Sequence, residues 1–176
     1  AADWDGFEKR RAESEKRGKL RGRGLACYIE SASLFNDRME LRFDPSGALT
    51  IVAGTFSHGQ GHETAYAQLA CTFLGVEFES VKLIQGDTDA VSIGRGTYGS
   101  RSITVGGAAI KIAADRIIER GRTIAAHMLE AAEGDIEFTD GTFTVSGTDK
   151  RIGIVDVAKA SYDLMMFPPH LGLGLE

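Results

Sequence analysis

Two cysteines, three prolines and one tryptophan are all that the 176 residues hold of these types. Cys27 and Cys71 are far apart in the chain and form no CxxC pair, so the sequence carries no zinc or iron–sulfur signature. Two isolated thiols do not make a disulfide framework either. Each sits among apolar neighbours and reads as a buried, reduced thiol of a cytoplasmic protein. No apolar run reaches about 18 residues, the length of a membrane-spanning helix, and no signal peptide precedes the charged N-terminal stretch. Neither an integral membrane segment nor secretion is therefore expected. Internal repeats and low-complexity tracts are also missing.

What is abundant is glycine. There are 22, where average usage of about 7% would give roughly 12. They cluster without a period, which suggests backbone turned tightly around something. The apolar fraction of 43% and charged fraction of 26% are those of an ordinary globular protein, and the length fits a single domain over 1–176. Net charge is −5, unevenly spread: residues 8–23, EKRRAESEKRGKLRGR, hold eight basic and three acidic side chains. Such a run can bind nucleic acid. Here Glu13–Arg17 and Glu15–Lys19 stand at i, i+4, which favours a solvated helix ending near Gly18 and no nucleic-acid partner.

The pattern predicts a helix over 3–17, a strand over 25–31 (LACYIES), and strands over 38–44 and 48–54 joined by the turn DPSG. A helix over 61–75 carries Ala65, Leu69 and Phe73 on one face, with Gly75 as its stop. A strand follows over 80–87. From Arg101 to about Ala132 the pattern is helical, with Val105, Ala109, Ile112, Ile117, Ile124 and Met128 at helix-compatible spacing. The small residues of VGGAAIKIAA at its start predict a close backbone neighbour. Asp140-Gly141 signals a hairpin within 135–145, 153–163 reads as a last helix, and FPPHLGLGLE as irregular chain. The expected class is α+β (mixed α/β): hairpins and a mixed sheet packed against one long and several shorter helices.

Two glycine-rich stretches stand ahead of helices. In GRGTYGSRSITVGG, Gly94, Gly96 and Gly99 precede the long helix, with Thr97, Ser100, Arg101, Ser102 and Thr104 around its start. A helix N-terminus offers unpaired N–H groups and the positive end of the dipole, suited to a phosphate. Glycines allow close approach, and Arg101 could add a charge-assisted contact. The plainer reading is a turn with an ordinary cap. GRGTYG also matches G-x-G-x-x-G, but seven residues separate it from Gly86 at the strand's end, and residue 119 falls inside a helix, so the dinucleotide-binding context is wrong.

The other stretch, GTFSHGQGHETAYAQLA, sets Gly59 and Gly61 among His58, Gln60 and His62. The metalloprotease pattern H-E-x-x-H fails because Tyr66 occupies its second histidine position, and no metal ligands are assigned. Gln60 offers an amide donor and acceptor instead. Two such helix starts about 40 residues apart can converge on one extended anionic ligand.

GTFSHGQGHETAYAQLACTFLGV and LIQGDTDAVSIGRGTYGSRSITVGGAAI together resemble the molybdenum-binding large subunit of the xanthine oxidase and aldehyde oxidase family, nearest its carbon monoxide dehydrogenase-like members. The resemblance runs over the whole chain, including GKLRGRGLACYIE. It implies that Gly59, Gln60, Gly61 and His62, together with Thr97, Tyr98, Gly99, Ser100, Arg101 and Ser102, hold a molybdopterin cytosine dinucleotide with its molybdenum. It further implies a longer large subunit that hands electrons to iron–sulfur and flavin partners. The family's Gly-x-Gly-Glu segment is not found, since GLGLE places its glutamate one position late, and neither cysteine sits in the expected active-site loop. The chain thus reads as a cofactor-binding piece with no catalytic residue of its own. The alternative is a stand-alone nucleotide-binding module without redox activity.

Overall fold

The computed structural model describes residues 3–163 and 169–176. It divides into two compact units, Ala1–Glu30 and Ser31–Glu176, where length alone predicts one domain.

The first unit holds helix α1, Phe7–Glu15. Arg11 pairs with Glu8 at 3.6 Å and with Glu15 at 3.3 Å. The pairs expected from spacing do not form in that way, because Arg17 Nε donates instead to the Glu13 carbonyl oxygen. Gly18, at φ +67°, turns the chain so that the Lys19 N–H reaches back to the Ser14 carbonyl. Beyond it the arm is extended, and Arg23 lies 4.4 Å over the rings of both Trp4 and Phe7. The strand predicted over 25–31 is absent, since a strand needs a hydrogen-bonded neighbour and this segment has none among the described residues. Cys27 is exposed and Cys71 half-buried, so the expectation of two buried thiols is corrected.

In the second unit β1 (Met39–Phe43) and β2 (Leu49–Ala53) form the predicted hairpin, Leu41 opposite Ile51. The Asp44 carboxylate ties the turn by accepting from the Ser46 and Ala48 N–H groups. The chain then crosses through α2 (His62–Leu74) to β3 (Val81–Gln85), which runs parallel to β2. A second, antiparallel sheet follows: β4 (Ile136–Thr139), β5 (Thr142–Val145) and the unpredicted three-residue β6 (Arg151–Gly153). Helix α4 covers Ile154–Ala160. The irregular C-terminal stretch starts at Phe167 and Pro168, outside the described residues, and includes one 3₁₀ turn at Pro169–Leu171.

The long helix packs against both sheets and joins their cores. It opens with a π-helical segment, Ser102–Gly107, and continues as α3, Ala108–Leu129. Its buried stripe is Ile110, Ala114, Ile117, Gly121 and Ile124, an i+4, i+3 alternation that faces one side. Ile112 and Met128, placed in the apolar pattern by sequence, are exposed. On α2 the buried stripe is likewise Tyr66, Ala70 and Leu74, one residue on from the predicted face of Ala65, Leu69 and Phe73. Around VGG the close neighbours are side chains rather than backbone. A Cβ on Gly106 would lie 2.6 Å from Met39 Cε and 3.0 Å from Tyr66 Oη. Among the described residues no helix is long and apolar enough to cross a membrane.

The tightest backbone approach joins the two sheets' territories. Gly75 ends α2 at φ +64°, and a Cβ there would sit 2.2 Å from the Gly141 nitrogen in the β4–β5 turn. Gly75→Ala should therefore cost about 2–4 kcal/mol, combining left-handed strain with overpacking. Gly134, with open space around its Cβ direction, should tolerate alanine within about 0.5 kcal/mol. Chemical denaturation of both variants measures the contrast, and equal losses would mean the Gly75–Gly141 contact yields freely.

Candidate functional site

Both glycine-rich stretches leave the carboxyl ends of the parallel strands β2 and β3, the edge where open sheets with helical crossovers bind ligands. Residues 54–61 follow β2 and lead into α2, while residues 86–101 follow β3 and lead into the π segment. They are stitched together. The Gly54 carbonyl accepts from the N–H groups of Arg95 and Gly96, each at 3.1 Å. The Phe56 N–H donates to Thr97 Oγ1 at 3.2 Å, and Thr97 Oγ1 lies 3.3 Å from Ser102 Oγ. The two segments thus lie side by side in the fold.

Behind the seam lies a buried hydroxyl chain. Thr55 Oγ1 is 2.7 Å from Tyr66 Oη, which donates to the Ser102 carbonyl at 3.2 Å. Burial raises the Tyr66 phenol above its usual range, and the bonds to Thr55 and Ser102 work against that rise. The chain links α2, through Tyr66, to the π segment. A π-helical turn is frequent at functional sites.

The predicted residues fall into three groups. Gly59, Gln60 and Gly61 are exposed, with Gly59 at φ +104° and Gly61 at φ +75°. No heavy atom lies within 4 Å of where a Cβ would stand on either glycine, so a ligand has room against the backbone. Helix α2 begins at His62 without a side-chain cap, leaving its first N–H groups to other partners. Tyr98, Gly99 and Ser100 form the outer turn of the second segment; Gly99 has φ +54° and Ser100, a non-glycine, φ +51°. Left-handed backbone at a residue other than glycine marks a conformation held by its surroundings. Thr97 and Ser102 are half-buried seam residues.

His62 and Arg101 form the third group, and both are buried. The His62 ring stacks on Tyr66 with centroids 4.9 Å apart. The Gln60 amide is oriented by its neighbours: its carbonyl oxygen accepts from the His58 N–H, and its NH₂ donates to the Phe56 carbonyl. The remaining N–H faces His62 Nε2 at 3.2 Å. That network assigns Nε2 as acceptor and places the proton on Nδ1. Nδ1 itself has no hydrogen-bond partner of good geometry. Burial lowers the ring's affinity for a second proton, the nearby Gln85 amide acts in the opposite direction, and His58 reinforces the lowering.

Arg101, expected to reach an anion, is turned inward with no exposure at all. It donates through Nη1 to Asp37 Oδ2 at 2.7 Å and to the Gly96 carbonyl at 2.9 Å. Nη2 donates to the Asn36 carbonyl at 2.8 Å, and Nε to that of Leu34 at 3.3 Å. Its part in any site is therefore to hold the segments rather than to touch the ligand. Thr55, Tyr66 and Asp37 were not singled out by sequence. Tyr66 was visible only as the residue that breaks a metal motif, and Asp37 gives no signal because its partner is 64 residues away.

Beside the seam is a cleft of about 420 Å³, lined by Gly54, Thr55, Phe56, Asp87, Ser92 and Gly96 among others. None of the ten sequence-predicted residues lines it, so it flanks their surface rather than containing it. Among the described residues no group of three or more His, Cys, Asp or Glu side chains is placed to hold a metal ion.

The chain is similar to known proteins in sequence and in fold. Over 199 aligned positions covering the whole chain, it is 39% identical to the carbon monoxide dehydrogenase large chain of Afipia carboxidovorans. Over 189 positions it is 35% identical to the nicotine 6-hydroxylase large subunit of Paenarthrobacter nicotinovorans. The chain spans 24% and 23% of these relatives, about a quarter of their length. The fold superposes on a crystal structure of Cu,Mo-CO dehydrogenase with a TM-score of 0.76 and 37% identity, covering 98% of this chain and 24% of that one. It also matches quinoline 2-oxidoreductase from Pseudomonas putida 86 at a TM-score of 0.71 and 33% identity, over 97% of this chain and 24% of that one. Residues 1–171 match the family described as the molybdopterin cofactor-binding domain, and the chain belongs to that family.

Proposed function

We propose that residues 59–62 and 97–100, braced by Ser102 and Arg101, hold a molybdopterin dinucleotide across the seam between the two glycine-rich segments. One observation carries this reading: two glycine-rich turns, the first opening an uncapped helix with open space at the Gly59 and Gly61 Cβ positions and the second holding Ser100 in left-handed backbone, are bonded side by side at the strand ends. Such a surface suits a pyrophosphate-bearing ligand, which needs close backbone approach and unpaired N–H donors. The unpartnered Nδ1–H of His62 is one more buried donor at the head of α2. These features fit the group.

The cofactor supplies the redox chemistry, and it brings the metal with it. What this chain's residues do is bind and orient. Gly59 and Gly61 let the backbone approach, and Gln60 holds the His58–Phe56 turn and faces the His62 ring. Thr97 and Ser102 keep the two segments in register. The cytosine form of the dinucleotide is our assignment, made by likeness to the carbon monoxide dehydrogenase large chains. The parent is a longer large subunit of a molybdenum hydroxylase that oxidises carbon monoxide or hydroxylates an aldehyde or heterocycle. Its partners are the remainder of that subunit and iron–sulfur and flavin subunits, and a cytoplasmic location fits these roles.

Three outcomes follow from these roles. Gln60→Ala in the cofactor-loaded parent should lower bound pterin and molybdenum at least several-fold; full retention of both would remove Gln60 from the site. Acid hydrolysis of the bound cofactor should release cytidine monophosphate, whereas a guanosine or adenosine nucleotide would overturn the cytosine assignment. For His62, the folded state binds its proton less readily than the unfolded chain does, whose imidazole has the ordinary value of 6.5. Its contribution to stability is therefore complete above that value and is lost as pH falls through and below it. Melting temperature should decline between pH 7 and 5, and His62→Phe should flatten that decline. An unchanged slope in the variant would show that other groups carry it.

A further inference from the structure

We propose that Asp37, in the segment ahead of β1, is the positioning residue that holds both glycine-rich segments at once; the inference rests on the cofactor-site reading above and adds a residue to it. The Asp37 side chain is wholly shielded from solvent and meets Arg101 Nη1 at 2.7 Å through Oδ2. Its other oxygen, Oδ1, accepts from the Arg38 N–H at 2.8 Å and lies against Gly54. A Cβ added to Gly54 would stand 2.0 Å from Oδ1. One carboxylate therefore touches the root of the first segment with one oxygen and anchors the end of the second with the other.

The contacts close into a ring. Asp37 binds Arg101; Arg101 binds the Gly96 carbonyl; the Gly96 N–H binds the Gly54 carbonyl; and Gly54 packs on Asp37. The strap that carries Asp37 is fastened independently at its far end. The Ser33 N–H donates to the Gly99 carbonyl at 2.8 Å, and Ser33 Oγ meets Thr104 Oγ1 at 2.7 Å. Residues 33–37 thereby span the back of the second segment from Gly99 to Gly96. Arg101 suits this position because its planar fork serves several acceptors at once. A lysine would reach Asp37 as a single point charge and leave the carbonyls of Leu34 and Asn36 unserved. Asp37 acts on a ligand through these segments, since its side chain has no exposed surface.

The test is amide hydrogen exchange on the cofactor-loaded protein carrying Asp37→Asn, an isosteric change that removes the charge. Exchange at 54–61 and at 94–101 should both accelerate at least tenfold, with 136–145 in the second sheet unchanged as the control for folding. Pterin retained per folded molecule should fall in parallel. Arg101→Lys, which preserves the charge balance, should loosen 94–101 and release pterin to a smaller degree. Acceleration confined to 94–101, or none in either segment, overturns the shared anchor. Acceleration in both with pterin retained as in the unaltered protein overturns the positioning role. Absence of pterin from the unaltered protein would refute the cofactor reading alone, and the exchange pattern would still decide the coupling.

Discussion

A guanidinium sealed from water sets the terms for the two glycine-rich segments of this molecule. Moving such a charge inward carries a penalty of several kcal/mol, recovered only when a counter-ion and further acceptors are in place. Arg101 finds the Asp37 carboxylate and three carbonyls, contributed by 34–37 and by Gly96. Each of those carbonyls belongs to chain without regular secondary structure, which would otherwise lack an internal reason to adopt one path. The buried cation turns irregular backbone into defined backbone. Glycines with open space at Gly59, Gly61 and Gly96 then make that backbone approachable.

The rest of the second unit supports that surface from below. Helix α3 is the shared element of both sheets, and it is kept close to them by small residues at the points of contact. Gly121 admits the Phe143 ring, whose nearest atom would be 2.5 Å from a Cβ there, and Gly106 admits Tyr66 Oη. Because Tyr66 also bonds Thr55 and Ser102, the helix packing and the placement of the two segments share one side chain. Displacing α2 relative to the π segment would break hydrogen bonds inside an apolar core, where unpaired polar groups are expensive.

Much of this was legible in the sequence wherever the signal is local. The DPSG and Asp140-Gly141 turns, the stop at Gly75 and the long helix are set by nearby residues, and they stand within a few positions of where the pattern puts them. The two glycine-rich segments were also visible, since their composition is unusual at short range. What stayed hidden depends on partners distant in the chain. Arg101 reads as an anion ligand until Asp37, 64 residues earlier, is seen to occupy it. The buried stripe of α2 lies one position on from the expected face, and on α3 the expected Ile117 and Ile124 are buried while Ile112 and Met128 are exposed, because apolar residues lie on more than one face and tertiary packing chose between them. Residues 25–31 have strand-forming side chains, but a strand is a property of a pair.

That arm has a colloidal consequence. Leu25 to Ile29, LACYI, is a window of apolar and β-favouring residues with neither charge nor proline, the composition of segments that stack into intermolecular sheets. Leu25 and Ile29 are 80% and 96% exposed, and among the described residues no backbone hydrogen bond joins 24–32 to any other main chain. Arg23 and Glu30 stand on either side as charged gatekeepers, the only local brake on lateral association of neighbouring molecules. Self-association of this polypeptide at high concentration is thus expected to depend on these five residues and the two charges beside them, and salt, by screening those charges, weakens the brake.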